Sequence, residues 1–167
     1  MPSFDLALRW KDLSSINDLG ARRYDPVNDD IRSILSDVCF ALDGYGSFHI
    51  SGFGDSAWPL DIATDLCVFL EQLPAALAAI QRGDPAELDL YEQGVERKLE
   101  IQCSRDHCVV TCASYGSWVP VYATEELERH VLIGMLSEVR SQFMGAFERV
   151  APALVAHPWV RDWLEGK

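Results

Sequence analysis

Basic residues are scarce in this chain: 14 Lys plus Arg stand against 26 Asp plus Glu, a formal charge of −12 at pH 7 and a pI near 4.6. A protein that grips nucleic acid neutralises phosphates with a face of lysine and arginine. Here the bases are scattered or flanked by acids, as in Glu96-Arg97-Lys98-Leu99-Glu100, so nucleic acid is not an expected partner. Long apolar runs are missing as well. None approaches the ~18 residues that a membrane-spanning helix needs, and the stretch from Met1 to Arg9 lacks the basic and apolar segments of a secretory leader. The expected compartment is the cytoplasm, where the five cysteines (Cys39, Cys67, Cys103, Cys108 and Cys112) stay as thiols.

Signatures of catalysis are also absent. There is no phosphate-binding glycine loop of the Walker type, no GxSxG elbow and no HExxH. Gly44 and Gly46 begin something like a dinucleotide fingerprint, but His49 stands at the third glycine position and the segment follows a helical pattern instead of a strand. Cys103, His107, Cys108 and Cys112 carry the atoms that zinc prefers, yet no CxxC pair is present, and Cys108, Val110 and Cys112 share one alternating face as small core residues. Neighbours on a strand point to opposite faces, so His107 and Cys108 cannot form a nucleophile and base pair. His49, His130 and His157 belong to no constellation, and a carboxylate pair such as Glu87 and Asp89 is unremarkable in so acidic a chain. No catalytic residue, cofactor or metal ligand is predicted.

What is present is an ordinary globular composition, 49% hydrophobic and 24% charged, in 167 residues. At that length a single core buries roughly two-thirds of the surface the unfolded chain exposes, so residues 1–167 are expected to form one domain. Asn28-Asp29-Asp30 reads as a helix start, and Ile31, Ile34, Leu35, Val38 and Leu42 recur at helical spacing up to Gly44. Tyr45 to Phe53 reads as a strand, and Trp58 to Ala63 as a second, before Asp65 caps a helix carrying Leu66, Phe69, Leu70, Leu73, Leu77 and Ile80, with Pro74 inside and Gly83 at its end.

Residues 86 to 115 alternate as a three-stranded antiparallel meander with one dry face and one wet face. Trp118 lies in the loop that follows. Thr124 then reads as the cap of a long C-terminal helix with Glu125 and Glu126 in its first turn and a stripe of Leu127, Val131, Met135, Val139, Phe143, Phe147 and Val150. A short helix begins near Pro158, with Trp159 and Trp163 on one face. The fold class is α+β, a meander packed against several helices.

On the wet face of the meander, Glu87, Asp89 and Tyr91 lie beside Lys98, Glu100 and Gln102, with Glu92 near the turn. An acidic strand face carrying a tyrosine is suited to a basic protein surface. Trp118 is the better single anchor, because tryptophan is enriched where binding energy concentrates, although a tryptophan between Ser117 and Val119 also suits a plug of the core. The expected partner-binding residues are therefore Glu87, Asp89, Tyr91, Glu92, Glu100 and Trp118.

Three runs, Asp65-Leu66 to Leu70-Glu71-Gln72-Leu73-Pro74, then Leu88-Asp89-Leu90-Tyr91-Glu92-Gln93-Gly94, and Trp118 to Pro120, resemble small acidic bacterial proteins. Their general cast is similar to the immunity proteins of contact-dependent inhibition and other polymorphic toxin systems. The resemblance implies a non-enzymatic inhibitor that binds one cognate toxin domain, often a basic nuclease, and it carries over no catalytic residues. Two other readings stand beside it. An enzyme would need a pocket with converging polar groups, and an adaptor subunit would co-purify with a stoichiometric scaffold.

Overall fold

A computed structural model describes residues 4–167. The chain opens with strand β1 (Asp5–Trp10), which pairs antiparallel with β2 (Gly46–Ser51) as a two-stranded sheet. Between them runs α1 (Ile31–Leu42), started by a capping box in which Asp30 accepts from the Arg32 amide and Ser33 reaches back to the cap. Of the residues the spacing predicts, Ile34, Leu35, Val38 and Leu42 are buried and Ile31 is partly exposed, while Cys39 joins the buried face. β1 went unread because its Leu6 and Leu8 alternate over only one short strand, close to the start of the chain.

The expected strand at 58–63 does not form. Trp58 donates its amide to the Ile50 carbonyl, and Asp61 turns the chain into a helix one turn earlier than predicted, accepting from the Thr64 and Asp65 amides at 2.8 and 3.0 Å. Asp65 is thus no cap: it is buried in the first turn and accepts from the Asp61 amide at 2.9 Å. A single π-helical turn (Ile62–Leu66) leads into α2 (Cys67–Arg82), which ends on Gly83 at φ 84°, with the Asp84 amide closing onto the Ala79 carbonyl. Ile62–Arg82 has the length and hydropathy of a bilayer-spanning helix, although the sequence shows no unbroken apolar run, and 61% of its most apolar window is packed inside the core.

The meander is one strand larger than expected: β3 (Ala86–Leu90), β4 (Arg97–Ser104), β5 (His107–Ser114) and β6 (Thr124–Glu128) form an antiparallel sheet in that order. Thr124-Glu125-Glu126 reads equally well as a helix cap with acids behind it, but Leu127 and Glu125 face inward while Thr124, Glu126 and Glu128 face out, a strand alternation. The long helix α3 therefore starts later, at Arg129, and runs to Val150. Its buried stripe is shifted accordingly: Leu132 and Leu136 replace the predicted Val131 and Met135 before Val139, Phe143, Phe147 and Val150 rejoin it. Arg129 locks the two long helices, donating to the Ile80 and Gln81 carbonyls at the end of α2 at 2.7 and 2.8 Å. A short 3₁₀ turn (Pro152–Leu154) and α4 (Pro158–Leu164) complete the chain, with Trp163 donating its indole N–H to the Leu70 carbonyl at 2.7 Å.

One core holds these parts together, centred on the fully buried Phe53, Phe69, Phe143 and Phe147 with Ile34, Leu35, Leu66, Leu70 and Leu77. The thiol expectation needs correction. Cys103 and Cys108 face each other directly across the β4–β5 hairpin and are joined in a disulfide, whereas Cys39, Cys67 and Cys112 are free and buried.

Candidate functional site

Helices α2 and α3 pack on one face of the four-stranded sheet, because Leu88, Leu90, Leu99, Ile101, Cys108, Val110 and Leu127 all point that way. The opposite face consists of the alternate residues, and its cross-strand rows follow from the register. Glu87 lies opposite Glu100, which lies opposite Thr111 and then Thr124; Asp89 lies opposite Lys98; Gln102 lies opposite Val109 and then Glu126; His107 lies opposite Glu128. Five carboxylates share a face whose centre is the neutral Val109, Thr111 and Ala113.

The pairing of Glu87 with Glu100 places like charges directly opposite, which destabilises a sheet. Lys98 partly offsets it from 3.8 and 3.3 Å. Hydrogen bonds to Tyr115 and Glu100 hold the Lys98 ammonium far above the ordinary lysine range, so that cation is committed within the molecule. His107 Nε2 lies 3.0 Å from Glu126, and His130 lies 3.2 Å from Glu128.

Of the six predicted contact residues, the structure brings Glu87, Asp89 and Glu100 together on this face. Asp89 is half-buried, and its backbone N–H and C=O are both held by the Gln72 carboxamide at 2.7 and 2.9 Å. Tyr91 and Glu92 leave the end of β3 and line a separate groove of about 440 Å³ with Asp30, Arg32, Thr64 and Glu71. There the Tyr91 hydroxyl donates to Glu71 at 3.2 Å, and burial raises the pKa values of both groups. Burial also raises Asp65, at the start of α2, to about 6.

Trp118 is not a free anchor. The Arg97 guanidinium stacks 3.6 Å from its ring centre and 4.7 Å from that of Trp58, and it pairs with Asp55 at 2.9 Å. This clasp ties the loop after β5 to the tight turn after β2. In that turn Phe53 and Gly54 adopt φ 59° and 89°, and a side chain on Gly52 would meet the Glu125 carboxylate at 2.8 Å. What the clasp leaves outside are Tyr115, Val119, Val121 and Tyr122, each more than 60% exposed.

Glu126, Glu128 and these exposed loop residues were missed by sequence reasoning. The alternation of Thr124 to Glu128 was the available signal for the two glutamates. The four exposed loop residues lie in a segment with no period, and only tertiary placement separates them from Trp118. No family model, curated protein or solved structure matches the chain.

Among the described residues, no three His, Cys, Asp or Glu side chains are grouped to hold a metal ion. Two of the free thiols are poorly placed for nucleophilic chemistry: a hydrogen bond with Cys67, together with burial, holds Cys39 well above the usual thiol range, and burial pushes Cys112 up to about 11.

Proposed function

We propose that this protein is a non-enzymatic binding module of the immunity type, which neutralises a basic, nuclease-type toxin domain by docking it on the open acidic face of the sheet. The observation that carries this reading is the one-sided coverage of the sheet: Glu87, Glu100, Glu126 and Glu128 are exposed, with half-buried Asp89 beside them, on the face opposite the one against which α2 and α3 pack. A like-charge pair across two strands costs stability, and sequences tolerate such costs at surfaces that serve a partner. The net charge of −12 acts in the same sense, steering a basic partner toward encounter and opposing the approach of nucleic acid. The exposed Tyr115, Val119, Val121 and Tyr122 add an apolar contact at one end of the face.

The test is affinity capture of the tagged protein from its host, identification of the bound protein by mass spectrometry, and calorimetry with that protein purified. A basic partner should bind one to one, with an affinity that falls steeply as salt rises. The double variant Glu100→Lys, Glu126→Lys should bind at least about tenfold more weakly and show a flatter salt dependence, while melting at or above the parent temperature at low salt. An unchanged affinity would remove the acidic face from the account, and capture of a stoichiometric scaffold without toxin activity would favour the adaptor.

A further inference from the structure

The two edges of the four-stranded sheet differ. On the β3 edge, the outward N–H and C=O of Asp89 are both occupied by the Gln72 side chain, which stands in for a neighbouring strand. The β6 edge is built in the opposite way. The Cys112 amide donates to the Ala123 carbonyl and the Arg129 amide donates to the Asp106 carbonyl, each at 2.8 Å. These two bonds fix the phase of the ladder: Ala123, Glu125, Leu127 and Arg129 turn their backbone groups toward β5, and Thr124, Glu126 and Glu128 turn theirs away from it. Among the described residues, no backbone partner meets the outward amides of Thr124, Glu126 and Glu128 or the outward carbonyl of Glu126.

An edge of this kind is a template for another strand, and proteins ordinarily cover it or blunt it. β3 is blocked at Asp89 by the Gln72 carboxamide, and among the described residues β6 carries no such cap. Of the three outward-turned residues of the open edge, Glu126 and Glu128 carry carboxylates, and Val119, Val121 and Tyr122, all exposed, run directly into its start at Thr124. We infer that β6 receives an extended segment of a basic protein as a fifth strand, with lysine or arginine at alternate positions opposite Glu126 and Glu128 and an apolar residue against the loop. Main-chain hydrogen bonds supply affinity in this mode, and the alternating side chains supply selectivity. The inference rests on the binding reading above and adds to it the manner of docking. Glu126 and Glu128 are the residues common to the edge and the acidic face, so the added strand extends that face without a break.

The probe is a short, capped peptide alternating lysine and valine, titrated into isotopically labelled protein and followed by amide NMR and hydrogen exchange. Saturating peptide should shift the amides of Thr124, Glu126 and Glu128 and slow exchange at Glu126 and Glu128 by at least about tenfold, leaving Glu87 and Asp89 unmoved. The Glu126 amide takes no part in the β5 ladder, so Glu126→Pro should keep the native spectrum and lose the peptide. Glu126→Gln, which keeps the amide and drops the charge, should bind more weakly and still show protection. Gln72→Ala, which uncaps the other edge, should add protection at Asp89. Salt-dependent binding that leaves Glu126 exchange unchanged would overturn the docked strand and leave the acidic-face reading standing; failure of the peptide to bind, or undiminished binding by Glu126→Pro, would overturn the docked strand as well. The acidic-face reading is judged separately, by the capture experiment.

Discussion

Arg97 lies between two tryptophans with 4% of its side chain exposed, and its guanidinium reaches Asp55. Removing one partner of such a buried pair leaves the other charge uncompensated, a loss of roughly 3–5 kcal/mol. Arg97→Ala should therefore destabilise the fold by about that much in urea denaturation and free Trp118 to solvent, seen as a red shift of tryptophan emission. Lysine is no substitute, because it lacks the planar surface that stacks on an indole. Asp65 makes a prediction of the opposite sign. Its pKa rises from 3.8 in the unfolded chain to about 6 in the fold, chiefly through burial, with Asp61 and Glu92 adding repulsion. The folded state thus binds the proton more tightly: its stabilisation is complete below about pH 4 and is lost as pH rises toward 6. Asp65→Asn keeps an oxygen for the Asp61 amide and removes that loss. It should be more stable than the parent at neutral pH, by on the order of 2–3 kcal/mol, and the gain should vanish near pH 4; equal gains at both pH values would contradict the assignment.

At the scale of elements, α1, α2, the meander and the terminal helix were legible because each carries several turns or alternations of one period between clear stops. β6 was not. Its Thr-Glu-Glu opening satisfies the rules for a helix cap, and only pairing with β5 decides between the two. The strand at 58–63 failed for the converse reason, since two alternating apolar residues without a neighbouring strand have no ladder to join. The acidic outer face followed from alternation in β3 and β4, but a loop has no period from which to read direction, so the choice between anchor and core plug at Trp118 was not legible in the sequence. The hairpin disulfide is a further property of these elements. Closing a loop only five residues apart in sequence constrains the unfolded chain modestly, by about 2 kcal/mol on the chain-entropy account. Reduction should therefore lower stability by about that amount without unfolding the protein; collapse of the fold in reductant would show that the hairpin depends on the bond.

For the molecule as a whole, net charge and one-sided sheet coverage are the properties that set its behaviour. With −12 concentrated on 167 residues, self-repulsion opposes compaction. The melting temperature should rise as sodium chloride screens that repulsion, and a charge-reversed outer face should show a smaller rise. The same field favours a basic partner at low salt. The most direct test of the central claim is calorimetry of the parent and of the Glu100→Lys, Glu126→Lys variant against the captured partner at low and high salt. The expected results are tight binding by the parent that weakens with salt, and weak binding by the variant that salt barely changes. Equal affinity of the two proteins, with equal salt dependence, would contradict that claim.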